Sequence, residues 1–232
     1  MRKSTARQAA AHVGFCATVA VALCGCVSVL PTDVAPMQRF RITAPEAPAP
    51  DAESVGWQLL VEAPTAPRAL DTSRIALTRS AHMYEYLAGA EWSDRAPGLV
   101  QSLLVQGFEN SGKIVGVSRR AVGVRGDLAL TTDLRRFEVD YDGGRPTARV
   151  SLYLKLVRQP LGTISAAKLV EAEARADRNT PGAIANAFDR AAKSAIADAV
   201  VWTLEVGGDA ATARDDGQRK RARPASDAEE GV

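Results

Sequence analysis

The alternation of apolar and polar positions along the chain predicts seven strands and two helices. Alternation with a period of two begins at Trp57 and Leu59 and recurs downstream. Helical spacing appears after Pro97 and again from Pro181 onwards. This order, β-β-β-α-β-β-β-β-α, predicts an α/β fold of the α+β type, with a largely antiparallel sheet packed against two main helices in a single domain. The predicted strands are residues 57–62, 74–79, 82–87, 113–118, 127–141, 150–156 and 163–174.

The longest strand candidate contains a change of phase. Leu128 and Leu130 share one parity, whereas Phe137 and Val139 share the other. Side chains of a strand alternate with period two, so a regular strand cannot place both pairs on one face. The pattern therefore predicts a bulge or bend within residues 133–136.

Both helices carry recognisable end signals. Asp94 is placed to cap the first helix, and Pro97 fits its first turn, where no amide hydrogen is needed. Thr180, followed by a proline, is the expected N-cap of the second. Gly207 and its neighbouring glycine predict the end of that helix. The remainder, residues 207–232, is charged without apolar periodicity, which predicts a disordered tail.

The amino terminus has the pattern of a bacterial export signal. A basic start is followed by an apolar run over residues 13–23, too short for the ~20 residues of a membrane-spanning helix. The sequence Leu23-Cys24-Gly25-Cys26 resembles the lipobox of bacterial lipoproteins. The resemblance implies that residues 1–25 are a removed leader and that Cys26 receives the lipid. An ordinary secreted protein, cut at the A-x-A-like site ending at Ala22, is the alternative.

A Pro/Ala-rich segment, residues 26–54, separates this lipid anchor from the predicted domain at 55–206. Its composition favours an extended chain, so we predict a spacer that gives the domain reach. Val27 follows the cysteine, where an aspartate commonly retains lipoproteins at the inner membrane. This favours the periplasmic face of the outer membrane of a Gram-negative cell.

Charge and residue usage exclude several classes of function. The formal net charge is +2, and removing the three basic residues of the leader brings it near −1, which gives no overall attraction to nucleic acid. The three cysteines lie at or before Cys26, and His82 is the only histidine outside the leader. Thiol, metal and histidine-based catalytic sites would thus lack their partners. We expect no metal, no cofactor and no enzyme activity.

Several segments resemble the ABC-type transport auxiliary lipoprotein family (PqiC/YmbA-like lipoproteins). They occur in family order: LDTSRIA at residues 70–76, YEYLAGAEWSD at 84–94, LRRFE at 134–138 and AFDR at 187–190. The resemblance implies family-motif positions with a structural or partner-contact role. These positions are Asp71, Arg74, Tyr86, Trp92, Asp94, Arg135, Arg136 and Phe137.

Each motif position also has a purely local interpretation. Asp71 and Arg74 would fix the turn before the second strand or contact a partner. Trp92 and Asp94 would shape and cap the start of the first helix. The arginines at the predicted bend would contact a partner or form local salt bridges, since bulges often redirect side chains. Tyr84 and Tyr86 would lie in an interface or pack on the sheet.

The resemblance implies an accessory role in lipid transport. Such lipoproteins are partners of an ABC transporter whose substrate-binding subunit carries a mammalian-cell-entry (MCE) domain, with the permease and ATPase contacted indirectly. The domain would dock the MCE component at the outer membrane during phospholipid transport, and a homo-oligomer would suit this role by analogy. Two alternatives are a carrier that holds a lipid itself and a regulator of a cell-wall synthase.

Overall fold

The computed structural model describes residues 36–46, 54–80, 82–119, 125–141 and 144–222, with side chains as far as residue 212. Eight strands and two helices form in this part of the chain. In chain order they are β1 (Gln38–Phe40), β2 (Val55–Val61), β3 (Arg74–Ser80), β4 (Met83–Trp92), α1 (Ala96–Ser111), β5 (Ile114–Arg119), β6 (Leu128–Asp140), β7 (Thr147–Arg158), β8 (Thr163–Arg175) and α2 (Pro181–Ala222).

Strand β6 is the central strand of the sheet. One of its edges pairs along its whole length with β7, which in turn pairs with β8, and both pairings are antiparallel. The other edge is shared by two shorter strands, because β2 pairs in parallel with the start of β6 and β3 with its end. Beyond β2 lies β5, and beyond β3 lie β4 and then β1, so the sheet forks.

The predicted α+β class with two main helices is confirmed. Antiparallel pairing dominates by length through β6, β7 and β8, while the shorter pairings that include β1, β2 and β5 make the sheet mixed. This branching depends on contacts between strands far apart in the chain, which local periodicity does not contain.

The core lies between the two helices and one face of the sheet. The predicted stripe of β7 is buried there, with Leu152 and Leu154 both 0% exposed. Three aromatic rings fill its centre: Phe188 of α2 lies 4.9 Å from Trp92 and 5.1 Å from Phe137, measured between ring centroids. Trp92 and Phe137 are therefore core residues, and their role is structural.

The predicted bulge in β6 is confirmed. The register between β6 and β7 shifts between Leu134 and Arg136. Leu134 and Phe137 are both buried in the core, although they lie an odd number of positions apart. The extra residue restores the apolar phase, as the parity change requires.

Helix α2 is longer than predicted. Its expected N-cap is confirmed, since the hydroxyl of Thr180 accepts a hydrogen bond from the amide of Ala183 at 3.4 Å. The predicted end at Gly207 and Gly208 is wrong, because the helix continues to Ala222. Gly207 is buried against Trp57, and a Cβ atom there would lie 2.3 Å from Cζ2 of the indole. The glycine therefore permits close packing and does not end the helix.

Part of the predicted spacer packs against the domain. Residues 37–46, called the strap below, contain β1, which pairs in parallel with β4, and Ile42, which is 8% exposed. The amide and hydroxyl of Thr43 donate hydrogen bonds to Oδ1 of Asp189 at 2.7 and 2.8 Å. Ordered structure thus begins before Val55, the predicted start of the domain. The other predicted boundaries, including residues 1–25, stay predictions.

Candidate partner-binding surface

The face of the sheet opposite the helices, called the outer face below, is polar. Alternation along β6 and β7 sends every second side chain to this face, and no helix covers it within the described ranges. Ion pairs and aromatic rings lie across it. Its principal side chains are Thr78, Tyr84, Arg135, Arg136, Glu138, Asp140, Arg149, Ser151, Tyr153, Leu169, Glu171 and Glu173.

The bulge places two consecutive arginines on the outer face. The guanidinium of Arg135 lies 4.2 Å from the ring centroid of Tyr153, and its Nε is 3.3 Å from Asp133. The guanidinium of Arg136 binds Glu138, with Nε 2.8 Å from Oε1. In a regular strand consecutive side chains would face opposite sides. The predicted local salt bridges form, and both side chains remain partly exposed.

Arg136 belongs to a network of charges that crosses the sheet. Its Nη2 lies 3.7 Å from Asp140, and Nε of Arg149 lies 3.0 Å from the same carboxylate. Arg149 also reaches Glu173 on β8, with 2.6 Å between Nη1 and Oε2. The network ties β6, β7 and β8 together on their outer face.

A pocket of about 480 Å³ lies where the outer sides of β3, β4 and β6 meet. Glu138 lines it and is only 4% exposed, while its neighbour Tyr84 is 44% exposed. Burial raises the pKa of the Tyr84 phenol, and the negative charge of Glu138 raises it further. The phenol is therefore neutral at physiological pH and keeps its proton as a hydrogen-bond donor. A second pocket, of about 260 Å³, shares Arg136 with the first.

A separate cluster forms around the loop before β3, from motif residues in that loop, at the start of β3 and on β4. The carboxylate of Asp71 pairs with Arg95 at the start of α1. The guanidinium of Arg74 lies 3.7 Å from the ring centroid of Tyr86, whose hydroxyl donates to the carbonyl of Ala69 at 3.3 Å. These contacts fasten the loop before β3, as the local interpretation predicted. Contact of this cluster with a partner stays a prediction.

The prediction that Asp94 caps α1 is wrong. The N-cap is Arg95, which makes no side-chain capping hydrogen bond. The carboxylate of Asp94 instead accepts a hydrogen bond from the amide of Arg95 at 2.7 Å. It lies where a Cβ at Gly98 would approach Oδ2 to 2.7 Å, so the glycine leaves room for it. Pro97 lies in the first turn, as predicted.

The remaining sequence predictions concern anchoring and catalysis. Cys26 lies outside the described residues, and its lipidation stays a prediction. His82 lies exposed between β3 and β4. Within the described ranges, the side chains of His, Asp and Glu form no group of three or more that could hold a metal ion. None of the described helices is both long and apolar enough to cross a membrane.

Sequence reasoning missed two functional candidates. Glu138 stands in a quoted motif, and its period-two spacing with Arg136 and Asp140 marks a charged strand face. Asp189 also stands in a quoted motif, but its partner Thr43 is 146 residues away. The charge spacing could have indicated the first, whereas only the fold reveals the second.

Comparison with known proteins places this architecture in context. The crystal structure of protein XCC0632 from Xanthomonas campestris is 31% identical, with a TM-score of 0.69 over 78% of this chain and 99% of that one. An uncharacterized protein of known structure shares the fold at 15% identity, with a TM-score of 0.56 over 71% of this chain and 97% of the other.

A curated relative, the uncharacterized protein bll6063 of Bradyrhizobium diazoefficiens, is 28% identical over 172 residues, which is 73% of this chain. The match spans 46% of that protein, so this chain corresponds to about half of its relative. The model of the family described as ABC-type transport auxiliary lipoprotein component matches residues 40–201. The chain therefore belongs to the ABC-type transport auxiliary lipoprotein family.

Proposed function

We propose that this protein is a lipid-anchored auxiliary subunit of an MCE-type ABC transporter and acts by docking, without catalysis of its own. Cys26 would hold it on the periplasmic face of the outer membrane. There it would receive the MCE component during the transfer of phospholipid between the two membranes. The observation that carries the proposal is the family match over residues 40–201, which gives the transport role.

The outer face is the surface that we propose for docking. It combines aromatic side chains with partly exposed arginines, and both residue types are enriched in protein interfaces. Tyr153 and Arg135 stack there, and Leu169, paired with Tyr153 across the strands, is 42% exposed. Both helices pack on the other face, so a partner can approach this one directly.

The packing of the core favours docking over carriage of a lipid. A lipid carrier needs a deep apolar cavity, but the rings of Trp92, Phe137 and Phe188 fill the space between helices and sheet. Four pockets that the described residues form are open to the surface, and charged side chains line each of these four. These pockets suit polar contacts and not acyl chains.

Site-specific photo-crosslinking in native membranes tests the proposal. A photoreactive amino acid replaces Leu169 on the outer face or, as a matched control, Val201 on α2, which is 53% exposed. We expect an MCE-domain protein to be crosslinked from position 169 and not from position 201. Mass spectrometry of the crosslinked band identifies the partner.

Two outcomes would contradict the proposal. Equal crosslinking of the MCE-domain protein from both positions would refute the outer face as the docking surface. Recovery of penicillin-binding proteins in its place would refute the transport role and favour regulation of a cell-wall synthase. Phospholipid bound to the purified chain would favour the carrier instead.

A further inference from the structure

The pocket between β3, β4 and β6 contains a carboxylate with one unpaired oxygen. Oε1 of Glu138 accepts a hydrogen bond from Nε of Arg136 at 2.8 Å. Oε2 is buried and has no hydrogen-bond donor within the part of the chain that the structure describes. The phenol of Tyr84 is a hydrogen-bonding neighbour of this carboxylate, and its interaction with Glu138 raises the pKa of the phenol. At Oε2 itself, no donor of the described residues lies in hydrogen-bonding geometry.

A buried carboxylate oxygen without a donor is unusual. Buried polar groups in proteins are nearly always hydrogen-bonded, and an unpaired charge is the least tolerated case. Glu138 lies in the centre of the sheet, opposite Ala76 on β3 and Arg149 on β7. The ion pair with Arg136 accounts for Oε1 and leaves Oε2 free to accept a hydrogen bond from a ligand.

The walls of the pocket suit a long aliphatic side chain that ends in a cation. Tyr84 and Met83 form an apolar rim and are 44% and 51% exposed. The hydroxyl-bearing Thr78 and Ser80 line the adjoining side. A lysine could lay its methylene stem along this rim and place its ammonium group beside Oε2, since lysine stems commonly pack along apolar surface.

The surrounding charge favours a cationic ligand. The pocket continues through Arg136 into its neighbour, and together they are lined by four carboxylates and three arginines. Arg79, which also lines the pocket, is paired with Glu85 at 3.2 Å. The phosphate of a lipid headgroup would meet this excess of negative charge. The four carboxylates are those of Glu138, Asp140, Glu171 and Glu173.

We infer that this pocket binds a lysine side chain of a partner polypeptide, with its ammonium group donating to Oε2 of Glu138. The inference rests on the docking function proposed above for the identity of the partner, and it adds the chemistry of the contact. The aromatic rim of Tyr84 would add contact with the methylene stem and with the cation.

Peptide binding to the purified full-length chain in detergent tests the pocket without the transporter. The probe is a fluorescein-labelled peptide of alternating glycine and lysine, followed by fluorescence anisotropy. The same peptide with acetylated lysines should not bind. We expect Glu138→Gln to weaken binding at least about tenfold and Tyr84→Ala to weaken it severalfold. Glu109→Gln removes one negative charge from an exposed position on α1 and should change affinity less than about twofold.

The outcomes separate this inference from the docking proposal. Equal weakening by Glu138→Gln and Glu109→Gln would refute the pocket, because only general charge attraction would remain. A lower melting temperature of Glu138→Gln with unchanged peptide affinity would make Glu138 structural. Binding to phosphatidylethanolamine vesicles that depends on Glu138, without peptide binding, would assign the pocket to a lipid. If the peptide binds but no MCE-domain protein is crosslinked, the pocket is still a lysine-binding site. That result would refute only the MCE component as its partner.

Discussion

The contact between Gly207 and Trp57 gives the sharpest test of how this chain packs. A Cβ at position 207 would lie 2.3 Å from Cζ2 and 2.8 Å from Cη2 of the indole, well inside van der Waals contact. At Gly208, the next position of the same helix, a Cβ would meet nothing within 4 Å. Alanine at these two positions therefore compares a blocked site with an open one in nearly the same backbone.

The expected magnitudes follow from two opposing effects. Replacing a helical glycine with alanine stabilises a helix by about 1 kcal/mol, and both variants receive this gain. At position 207, forcing a methyl group against a rigid ring costs roughly 1–3 kcal/mol. The gain cancels between the variants, so Gly207→Ala should have a free energy of unfolding roughly 1–3 kcal/mol below that of Gly208→Ala.

Thermal and urea unfolding of the two variants measure this difference. For a domain of this size it corresponds to a melting temperature lower by roughly 3–9 °C in Gly207→Ala. Trp57→Phe removes the part of the ring that blocks the site, so in that background Gly207→Ala should regain most of the loss. Equal stability of the two alanine variants would refute the packing argument.

Two further predictions concern the strap and the anchor. Burial alone would raise the pKa of Asp189, but hydrogen bonds from Lys193 and Thr43 outweigh it and leave the pKa lowered. Its contribution to stability is thus complete above about pH 4 and is lost as pH falls through the lowered value. Asp189→Asn should speed amide exchange in residues 37–46, with exposed Asp198→Asn as the unaffected control. Cys26→Ala should release a folded domain into the soluble periplasmic fraction, and a variant that stays membrane-bound would disprove lipid anchoring there.

The structural features that depend on local residue spacing could be predicted from the sequence. The bulge in β6 follows from the parity of Leu130 and Phe137, because period two admits no other way to bury both. The start of α2 follows from Thr180 and the proline after it, whose preferences are set within one turn. The fold class and the order of the elements after β1 depend on such local patterns, so both could be predicted from the sequence.

The rest is decided by contacts between distant residues. Paired glycines are an ordinary helix stop, and only the indole of Trp57 shows that Gly207 serves close packing instead. The Pro/Ala-rich composition of the strap favours an extended chain, which is equally the conformation of an added edge strand. Its alternating Phe40 and Ile42 were the available signal.

The candidate surface was predicted in part. The arginines at the bulge were expected to contact a partner or to form local salt bridges, and the structure places them within the cross-sheet network. The buried position of Glu138 could not be predicted, because it depends on β3 and β7 flanking β6 on both sides. Whether a charged side chain in a sheet is buried depends on the neighbouring strands and not on the sequence of its own strand.

The strap also shortens the distance from the membrane that a lipid-anchored domain can reach. With Cys26 lipidated as predicted, a free spacer up to residue 54 would extend roughly 100 Å, whereas the strap leaves about ten residues, or roughly 35 Å. The effective concentration of a tethered domain varies roughly as the −3/2 power of the linker length, so this shortening raises the local concentration of the domain at the membrane surface about fivefold. Docking would then occur close to the membrane, and release of the strap would trade that high local concentration for longer reach.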